Sequence, residues 1–266
     1  MTRSSATTTP VPSWMPIWAP EVFPDGAALA DRVAERLLQA CSDPQGLPLG
    51  LATGRTMEPV YGALVRRVAA LSATRRAVLQ QRWCSFNLDE YVGLGPDDPG
   101  SFAAAMQVQL GRPLGLDLAQ LQLPNGLAAD PAAEARRYGA AVAARGGIGL
   151  QLLGLGLNGH VGFNAPPCGP DAGCRCIRLS DATRRQNAAA FGGDPSAVPA
   201  QAITLGLAEI GAAREVLLVV TGASKAPVLR RLLQEPPNPD LPASWLQRHP
   251  RLSLMVDGAA AADLRG

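Results

Sequence analysis

Short, nearly unbroken apolar runs alternate along this chain with longer segments in which apolar residues recur every three or four positions. The runs predict buried strands of the kind found in parallel sheets, and the longer spacing predicts amphipathic helices. We expect strands at residues 47–52, 78–86, 148–155, 202–205, 215–220 and 252–256. We expect helices at residues 25–41, 57–68, 101–110, 130–145, 183–191, 225–234 and 243–248.

Strands that alternate with helices indicate an α/β protein. We expect a single-domain, Rossmann-like fold in which helices flank a mostly parallel sheet on both faces. The domain should cover residues 21–266, after a polar, Pro-rich lead at residues 1–20. Trp14 and Trp18 suggest that the end of this lead packs onto the domain.

The composition of the 266 residues fits a folded protein in a reducing compartment. Hydrophobic residues make up 47% and charged residues 17%, which argues against global disorder. The formal net charge is +2, with acids and bases interspersed, so we expect no nucleic-acid partner. The N-terminus lacks the apolar centre of a signal peptide, and no apolar stretch is long enough to span a bilayer. We therefore expect a cytoplasmic protein without a membrane partner.

Four predicted strands lead into polar, glycine-containing loops at residues 53–56, 89–93, 158–164 and 221–225. If these strands are parallel, the loops lie at one edge of the sheet, where ligands bind in open α/β folds. None of the loops is specific alone, but together they predict a small-molecule site.

Two of these loops are candidates for binding a phosphate group. Thr53, Gly54, Arg55 and Thr56 precede a predicted helix, whose N-terminus offers free N–H groups and a positive dipole end. Helix capping by threonine accounts for the same residues without a ligand, so both interpretations stand. Lys225 lies at another strand-to-helix turn, where its charge is slightly unfavourable unless an anion is nearby.

Asp89, Glu90 and His160 are the candidate acid–base groups. The two adjacent acids follow a predicted strand, although acids in that place often only solvate a turn. His160 is one of two histidines and lies in a Gly-rich loop with Asn158 and Asn164. Histidine is the commonest general acid or base near neutral pH, and a structural role is the alternative.

Three cysteines, Cys168, Cys174 and Cys176, lie close together in the predicted loop after the 148–155 strand. Their spacing does not match a usual zinc site, and no histidine is near them in the sequence. We therefore expect free thiols and no metal.

Five segments resemble motifs of the glucosamine-6-phosphate deaminase (isomerase) family and occur in the family's order. They are ATGRT at 52–56, FNLDEYVGL at 86–94, GLGLNGHVGFN at 154–164, TGASK at 221–225 and WLQRHP at 245–250. The related 6-phosphogluconolactonases usually carry Arg where this chain has Tyr91, so the resemblance is to the deaminases.

The resemblance implies conversion of a small-molecule sugar phosphate, glucosamine 6-phosphate, into fructose 6-phosphate and ammonia without a cofactor. Asp89 would move a proton between sugar C2 and C1, and His160, oriented by Asn158, would assist ring opening. The expected catalytic residues are Asp89, His160, Asn158 and Glu90. The expected substrate-binding residues are Thr53, Gly54, Arg55, Thr56, Lys225 and Arg184. We expect a monomer or homo-oligomer of amino sugar metabolism, classed with both the isomerases and the hydrolases.

Several departures from the family pattern leave other activities open. The family has Glu where this chain has Ala165, and a phosphate-binding Arg where it has Ala189. Cys168 and Ile177 replace a Ser and a Lys of the loop that binds an allosteric activator in hexameric members. The alternatives are an enzyme acting on another sugar phosphate, such as a galactosamine-6-phosphate isomerase or a 6-phosphogluconolactonase, or a sugar-phosphate-binding protein with little catalysis.

Overall fold

The computed structural model describes residues 19–43 and 45–264. In chain order, its strands are β1 (Glu21–Phe23), β2 (Leu49–Leu51), β3 (Ser85–Asn87), β4 (Asp89–Tyr91), β5 (Leu121–Gln122), β6 (Leu150–Gly154), β7 (Arg175–Arg178), β8 (Gln201–Thr204), β9 (Glu215–Val220) and β10 (Leu252–Asp257). Its α-helices are α1 (Gly26–Ser42), α2 (Glu58–Ala69), α3 (Ala73–Arg82), α4 (Phe102–Met106), α5 (Arg112–Leu114), α6 (Pro131–Ala144), α7 (Asp181–Asn187), α8 (Leu207–Gly211) and α9 (Ala226–Gln234). The predicted packing of Trp14 and Trp18 falls outside the described residues.

Seven strands form the central sheet, in the order β1-β10-β9-β6-β2-β3-β5. All of its strand pairs are parallel. Every residue of β2 and β3 is buried, and so are nearly all residues of β6 and β9, which explains their apolar runs. The predicted α/β fold class, with a mostly parallel sheet flanked by helices, is confirmed.

A second, three-stranded sheet has the order β4-β8-β7 and is antiparallel. Leu88 alone separates β3 from β4, so the chain passes from one sheet to the other at the carboxyl end of β3. Leu88 is held on both sides: its N–H donates to the Leu51 carbonyl at 2.9 Å, and its carbonyl accepts from the Leu205 N–H at 2.7 Å. Asp89, the next residue, is therefore placed at the junction of the two sheets.

Helix starts follow the capping rules. The carboxylate of Asp25 accepts from two N–H groups at the start of α1, and Asp130 does the same for α6, which begins with Pro131. Ser101 caps α4, as predicted, and α4 continues through a π-helical segment, Gln107–Gly111, into α5. Within the described ranges, no helix is long and apolar enough to cross a membrane.

The strand predicted at residues 78–86 is wrong over most of its length. Residues up to Arg82 belong to α3, whose N-cap Ser72 accepts from the Arg75 N–H, and only Ser85–Asn87 form a strand. Leu79 is the one buried residue of α3, whereas Val78 is 43% exposed, so neighbouring apolar residues here point to opposite sides of a helix. The helix predicted at 243–248 is a 3₁₀ segment, Pro242–Arg248.

Candidate active site

The four polar segments that follow β2, β3, β6 and β9 lie at the carboxyl edge of the central sheet. The segment predicted as a loop at 89–93 differs from the prediction, because Asp89–Tyr91 forms β4 of the second sheet. The strands that precede them lie side by side, because β2 pairs with both β3 and β6, and β6 pairs with β9. The parallel direction brings the ends of all four strands to one edge, as expected for a ligand site in an open α/β fold. The predicted coincidence of the loops is thus a feature of the structure.

Asp89 is the buried acid of this edge. It opens β4, opposite Thr204 of β8, and the residue is 6% exposed. Burial, and then the neighbouring charge of Glu90, raises the pKa of Asp89 from 3.8 to about 8. A methyl group added at Gly162 would lie 3.5 Å from Oδ2 of Asp89, so the carboxylate adjoins the loop that carries His160.

His160 is held in a tight turn with its ring oriented by Asn158. The His160 carbonyl accepts from the Gly156 N–H at 2.9 Å, and Gly159 adopts a φ of 81° in between. Oδ1 of Asn158 accepts from the His160 N–H at 3.3 Å and lies 2.6 Å from Nδ1 of the ring. Since this oxygen can only accept, Nδ1 carries the proton and Nε2 keeps a free lone pair. The predicted orienting role of Asn158 thus has a direct geometric basis.

The charge state of His160 is set by its surroundings. Burial, and then the positive charge of Lys225, lowers the pKa of His160 from 6.5 to about 4. The imidazole is therefore neutral near pH 7. The influence of Lys225 indicates that its charge lies near the His160 ring.

The His160 loop is fixed from two sides. On one side, the Gly159 carbonyl accepts from the Ala243 N–H at 2.8 Å, and the side chain of Leu241 packs where a side chain at position 159 would lie. On the other side, the fully buried Asn164 donates from Nδ2 to the carbonyls of Val161 and Leu205. Such bracing keeps the loop rigid without a ligand.

Two basic residues, Arg55 and Lys225, lie near each other at this edge of the sheet. Burial, and then the nearby charge of Arg55, lowers the pKa of Lys225. The hydroxyl oxygens of Thr56 and Thr221 lie 3.4 Å apart and join the two loops that carry this pair. Among the described residues, neither Arg55 nor Lys225 lies within 4.0 Å of a carboxylate. Two adjacent cations without an acidic partner suit a phosphate group.

Glu90 does not join the other predicted catalytic residues. It lies on the opposite face of β4 from Asp89, and its carboxylate accepts from the N–H groups of Tyr91, Phe102 and Ala103 at 2.8 to 3.0 Å. Two of these groups start α4, so Glu90 anchors that helix to β4. The prediction that Glu90 is catalytic is corrected here, because its carboxylate already has three backbone partners.

Arg184 is also engaged elsewhere. Its guanidinium donates to the carbonyls of Val198 at 3.0 Å and Ser196 at 2.8 Å, and so holds the loop before β8. In the described part of the chain it makes no hydrogen bond or ion pair with another predicted site residue. We therefore remove Arg184 from the phosphate-binding set, which leaves Thr53, Gly54, Arg55, Thr56 and Lys225.

The remaining residues of interest are the three cysteines and two alanines, Ala165 and Ala189, that depart from the family pattern. Cys168, Cys174 and Cys176 are free thiols, and no group of described residues could hold a metal ion. Ala165 follows Asn164 directly, with its N–H donating to the Phe163 carbonyl at 2.9 Å. Ala189 lies exposed in a 3₁₀ segment, Ala188–Phe191, that follows α7.

Two contributors to the site went unpredicted. Arg175 donates to Oδ1 of the buried Asn164 at 2.8 Å, and so supports the His160 loop from the second sheet. Asp257, the last residue of β10, accepts from the Gly222 N–H in the loop before Lys225. An acid at the carboxyl end of a parallel strand was a signal for Asp257, whereas the contact of Arg175 depends on tertiary structure alone.

The position of His160 can be tested with a single methyl group. The ring of His160 lies against Gly156, so the side chain of a Gly156→Ala variant would collide with the imidazole. We expect turnover to fall by about 100-fold, the usual contribution of a positioned acid–base group, while the melting temperature changes little. Gly211→Ala is the control, because it adds a methyl group where nothing lies within 4 Å. Equal turnover in both variants would contradict an ordered His160.

The pKa of Asp89 predicts a pH-dependent cost in stability. Between pH 3.8 and about 8 the folded protein keeps a proton that the unfolded chain has lost, so wild-type stability falls as pH rises through this window. Asn does not titrate. As pH rises, the free energy of unfolding of Asp89→Asn should therefore increase relative to that of the wild type, by up to about 1.4 kcal/mol per pH unit. Urea unfolding of both proteins at pH 5, 6.5 and 8 measures this. Parallel pH profiles would mean that Asp89 is not buried as described.

The chain is similar to known proteins both in sequence and in structure. A family profile described as glucosamine-6-phosphate isomerases/6-phosphogluconolactonase matches residues 25–254. A glucosamine-6-phosphate deaminase of Rhodopirellula baltica is 41% identical over 244 residues, or 91% of this chain and 94% of that protein. A monomeric glucosamine-6-phosphate deaminase of known structure has a TM-score of 0.86 and 33% identity, covering 92% of this chain and 100% of its own. A 6-phosphogluconolactonase from Trypanosoma cruzi, with a TM-score of 0.71, 19% identity and coverage of 93% and 98%, is similar in fold alone.

These similarities confirm the predicted resemblance and the assignment as an enzyme. One expectation is wrong: the classification as a hydrolase. The relatives that are 38–41% identical over most of the chain are named glucosamine-6-phosphate deaminases, and the 6-phosphogluconolactonase is similar in fold alone, so the hydrolase class is not supported.

Proposed function

The chain belongs to the glucosamine-6-phosphate isomerase/6-phosphogluconolactonase family, and on that premise we propose that it converts glucosamine 6-phosphate into fructose 6-phosphate and ammonia. The observation that carries the proposal is the placement of Asp89 beside the His160 loop, with the charge of Lys225 near His160 and that of Arg55 near Lys225. A buried carboxyl group, a neutral imidazole and a basic pair are what this reaction needs.

The phosphate group binds between Arg55 and Lys225. The hydroxyls of Thr56 and Thr221 and the backbone of residues 53–56 add neutral donors at the same place. Anchoring the phosphate fixes the sugar at one end, so that its reacting carbons lie at the acid–base groups. The binding of the phosphate therefore serves the chemistry at C1 and C2.

His160 opens the sugar ring. Its Nε2 has a free lone pair, because Nδ1–H donates to Asn158, and it accepts the proton of the C1 hydroxyl. The C1–O5 bond breaks as the C1 carbonyl forms, and the proton passes to O5. A neutral imidazole suits both halves of this transfer, and its low pKa favours release of the proton.

Asp89 then moves the proton between the two carbons. The C1 carbonyl makes the proton on C2 acidic. The carboxylate removes it, and a proton of the substrate ammonium passes to O1, which gives an enolamine with a C1–C2 double bond. The protonated Asp89 then returns its proton to C1. The double bond shifts to C2 and the nitrogen, water adds at C2, and ammonia leaves to give the ketone. A pKa of about 8 makes Asp89 a stronger base than an exposed aspartate, and a substrate ammonium nearby favours its ionised form.

Comparing the two adjacent acids tests the assignment of the base. Asp89→Asn should release no measurable ammonia from glucosamine 6-phosphate, while its affinity for fructose 6-phosphate stays within about threefold of wild type, because the phosphate contacts remain. Glu90→Gln should lower the melting temperature, since it weakens the anchor of α4, but the folded protein should keep turning over.

Failure of the wild-type protein to release ammonia would overturn the proposed reaction. Release of ammonia by Asp89→Asn at the wild-type rate would remove only the assignment of the base. If the wild type instead opens 6-phosphogluconolactone, or binds sugar phosphates without turnover, one of the two alternative activities of this family of folds replaces the proposal.

Ala165 provides a second test. The family carries Glu at this position, and we expect Ala165→Glu to raise kcat about tenfold, because a carboxylate there would assist proton transfer by His160. Ala165→Gln has the same size without the charge and should leave kcat unchanged. Equal effects of both substitutions would show that the pocket does not use a carboxylate at this position.

A further inference from the structure

Asp257 is a buried carboxylate to which the proposed reaction gives no role. It ends β10 and is 8% exposed. In the described part of the chain, no Lys, Arg or His nitrogen lies within 4.0 Å of it. Its partners are backbone groups: the Gly222 N–H at 3.0 and 3.1 Å from its two oxygens, and the Ala260 N–H at 2.7 Å from Oδ1.

The bond to Gly222 leads directly to the basic pair of the site. Gly222 has a φ of 90°, and its carbonyl accepts from the Lys225 N–H at 3.0 Å. The preceding residue, Thr221, carries the hydroxyl that lies 3.4 Å from that of Thr56. Gly222 is thus fixed at its N–H by Asp257 and at its carbonyl by the turn that runs from Gly222 to Lys225.

The negative charge of Asp257 is unusual beside a loop that is proposed to bind a phosphate group. A carboxylate one hydrogen bond away from a phosphate-binding loop repels the anion, so electrostatics alone disfavours it there. Its burial also carries a desolvation cost. An acid kept at such a place needs a benefit that exceeds both effects, and holding the loop in its binding conformation is the benefit that the hydrogen bonds offer.

We propose that Asp257 is a positioning residue for the phosphate site: by binding the Gly222 N–H, it holds Thr221 and Lys225 in the arrangement that receives the substrate phosphate. This inference rests on the proposed function, in which that loop binds the phosphate. It goes beyond it by assigning a role to a residue that does not touch the substrate.

The Asp257→Asn variant distinguishes a positioning role from an effect of charge, because the two predict opposite changes in the affinity for phosphate ligands. If Asp257 acted on the anion only through its charge, its neutralisation would tighten binding. If it positions the loop, the amide NH2 group that replaces Oδ2 faces the Gly222 N–H donor and the loop shifts, so binding should weaken about tenfold, or about 1.4 kcal/mol. Calorimetric titration with fructose 6-phosphate and with inorganic phosphate measures this directly. The KM for glucosamine 6-phosphate should rise by the same factor, with kcat changed less than twofold.

Two further variants make the test decisive. Asp117→Asn, at an exposed acid that caps a turn beside β5 on the far edge of the sheet, makes the same change of charge and should bind like wild type. Gly222→Ala keeps the carboxylate, and its methyl group meets nothing within 4 Å, but alanine rarely adopts a φ of 90°. It should weaken phosphate binding as Asp257→Asn does, and it carries the test if Asp257→Asn fails to fold.

Unchanged or tighter binding in a folded Asp257→Asn protein, or wild-type binding in Gly222→Ala, would overturn the positioning role. A wild-type protein that binds neither ligand would refute the phosphate site itself, and with it this inference. The wild-type titration thus distinguishes failure of the proposed function from failure of the role of Asp257.

Discussion

A carboxyl group held out of water at the junction of two sheets is the constraint on which the site depends. Asp89 is buried at the start of β4, and transferring an ionised carboxylate from water costs several kcal/mol. The protein meets this cost by letting the pKa rise rather than by pairing the acid with a cation. A salt bridge would have stabilised the carboxylate and weakened it as a base. Within residues 19–43 and 45–264, Asp89 has no ion-pair partner, which suits the proton transfer proposed for it.

The surrounding structure serves to hold that carboxyl group against a second, equally constrained loop. Leu88 is bonded to both sheets, and Glu90 anchors α4 on the other face of the same short strand. Tyr91 packs against Phe163 with ring centroids 5.5 Å apart, which ties β4 to the end of the His160 loop. These contacts hold the Asp89 carboxyl group beside the loop that carries the neutral His160, at the carboxyl edge of the central sheet.

The sequence was most informative where local pattern and function coincide. Buried parallel strands have continuous apolar runs, so the strand before His160 and the one before Thr221 could be predicted, and the polar loops after them had to share an edge. Prediction failed where contacts between residues far apart in the sequence determine the local structure. Only Val78 and Leu79 are apolar among residues 78–82, and these residues continue a helix, α3, in which Leu79 alone is buried. The sheet of β4, β8 and β7 joins segments that are far apart in the chain. Glu90 has the side chain of a catalytic acid and Arg184 that of a phosphate-binding residue, but in the folded protein both side chains form hydrogen bonds with backbone groups.

The central claim is that one phosphorylated sugar spans the distance from the basic pair to Asp89. The most direct measurement is a crystal structure with an open-chain analogue of glucosamine 6-phosphate whose C1 is reduced to an alcohol. The account predicts the phosphate between Arg55 and Lys225, with C1 and C2 against the Asp89 carboxylate and O5 within hydrogen-bonding distance of His160. An analogue whose phosphate binds elsewhere, or whose C1 and C2 lie away from Asp89, would contradict it.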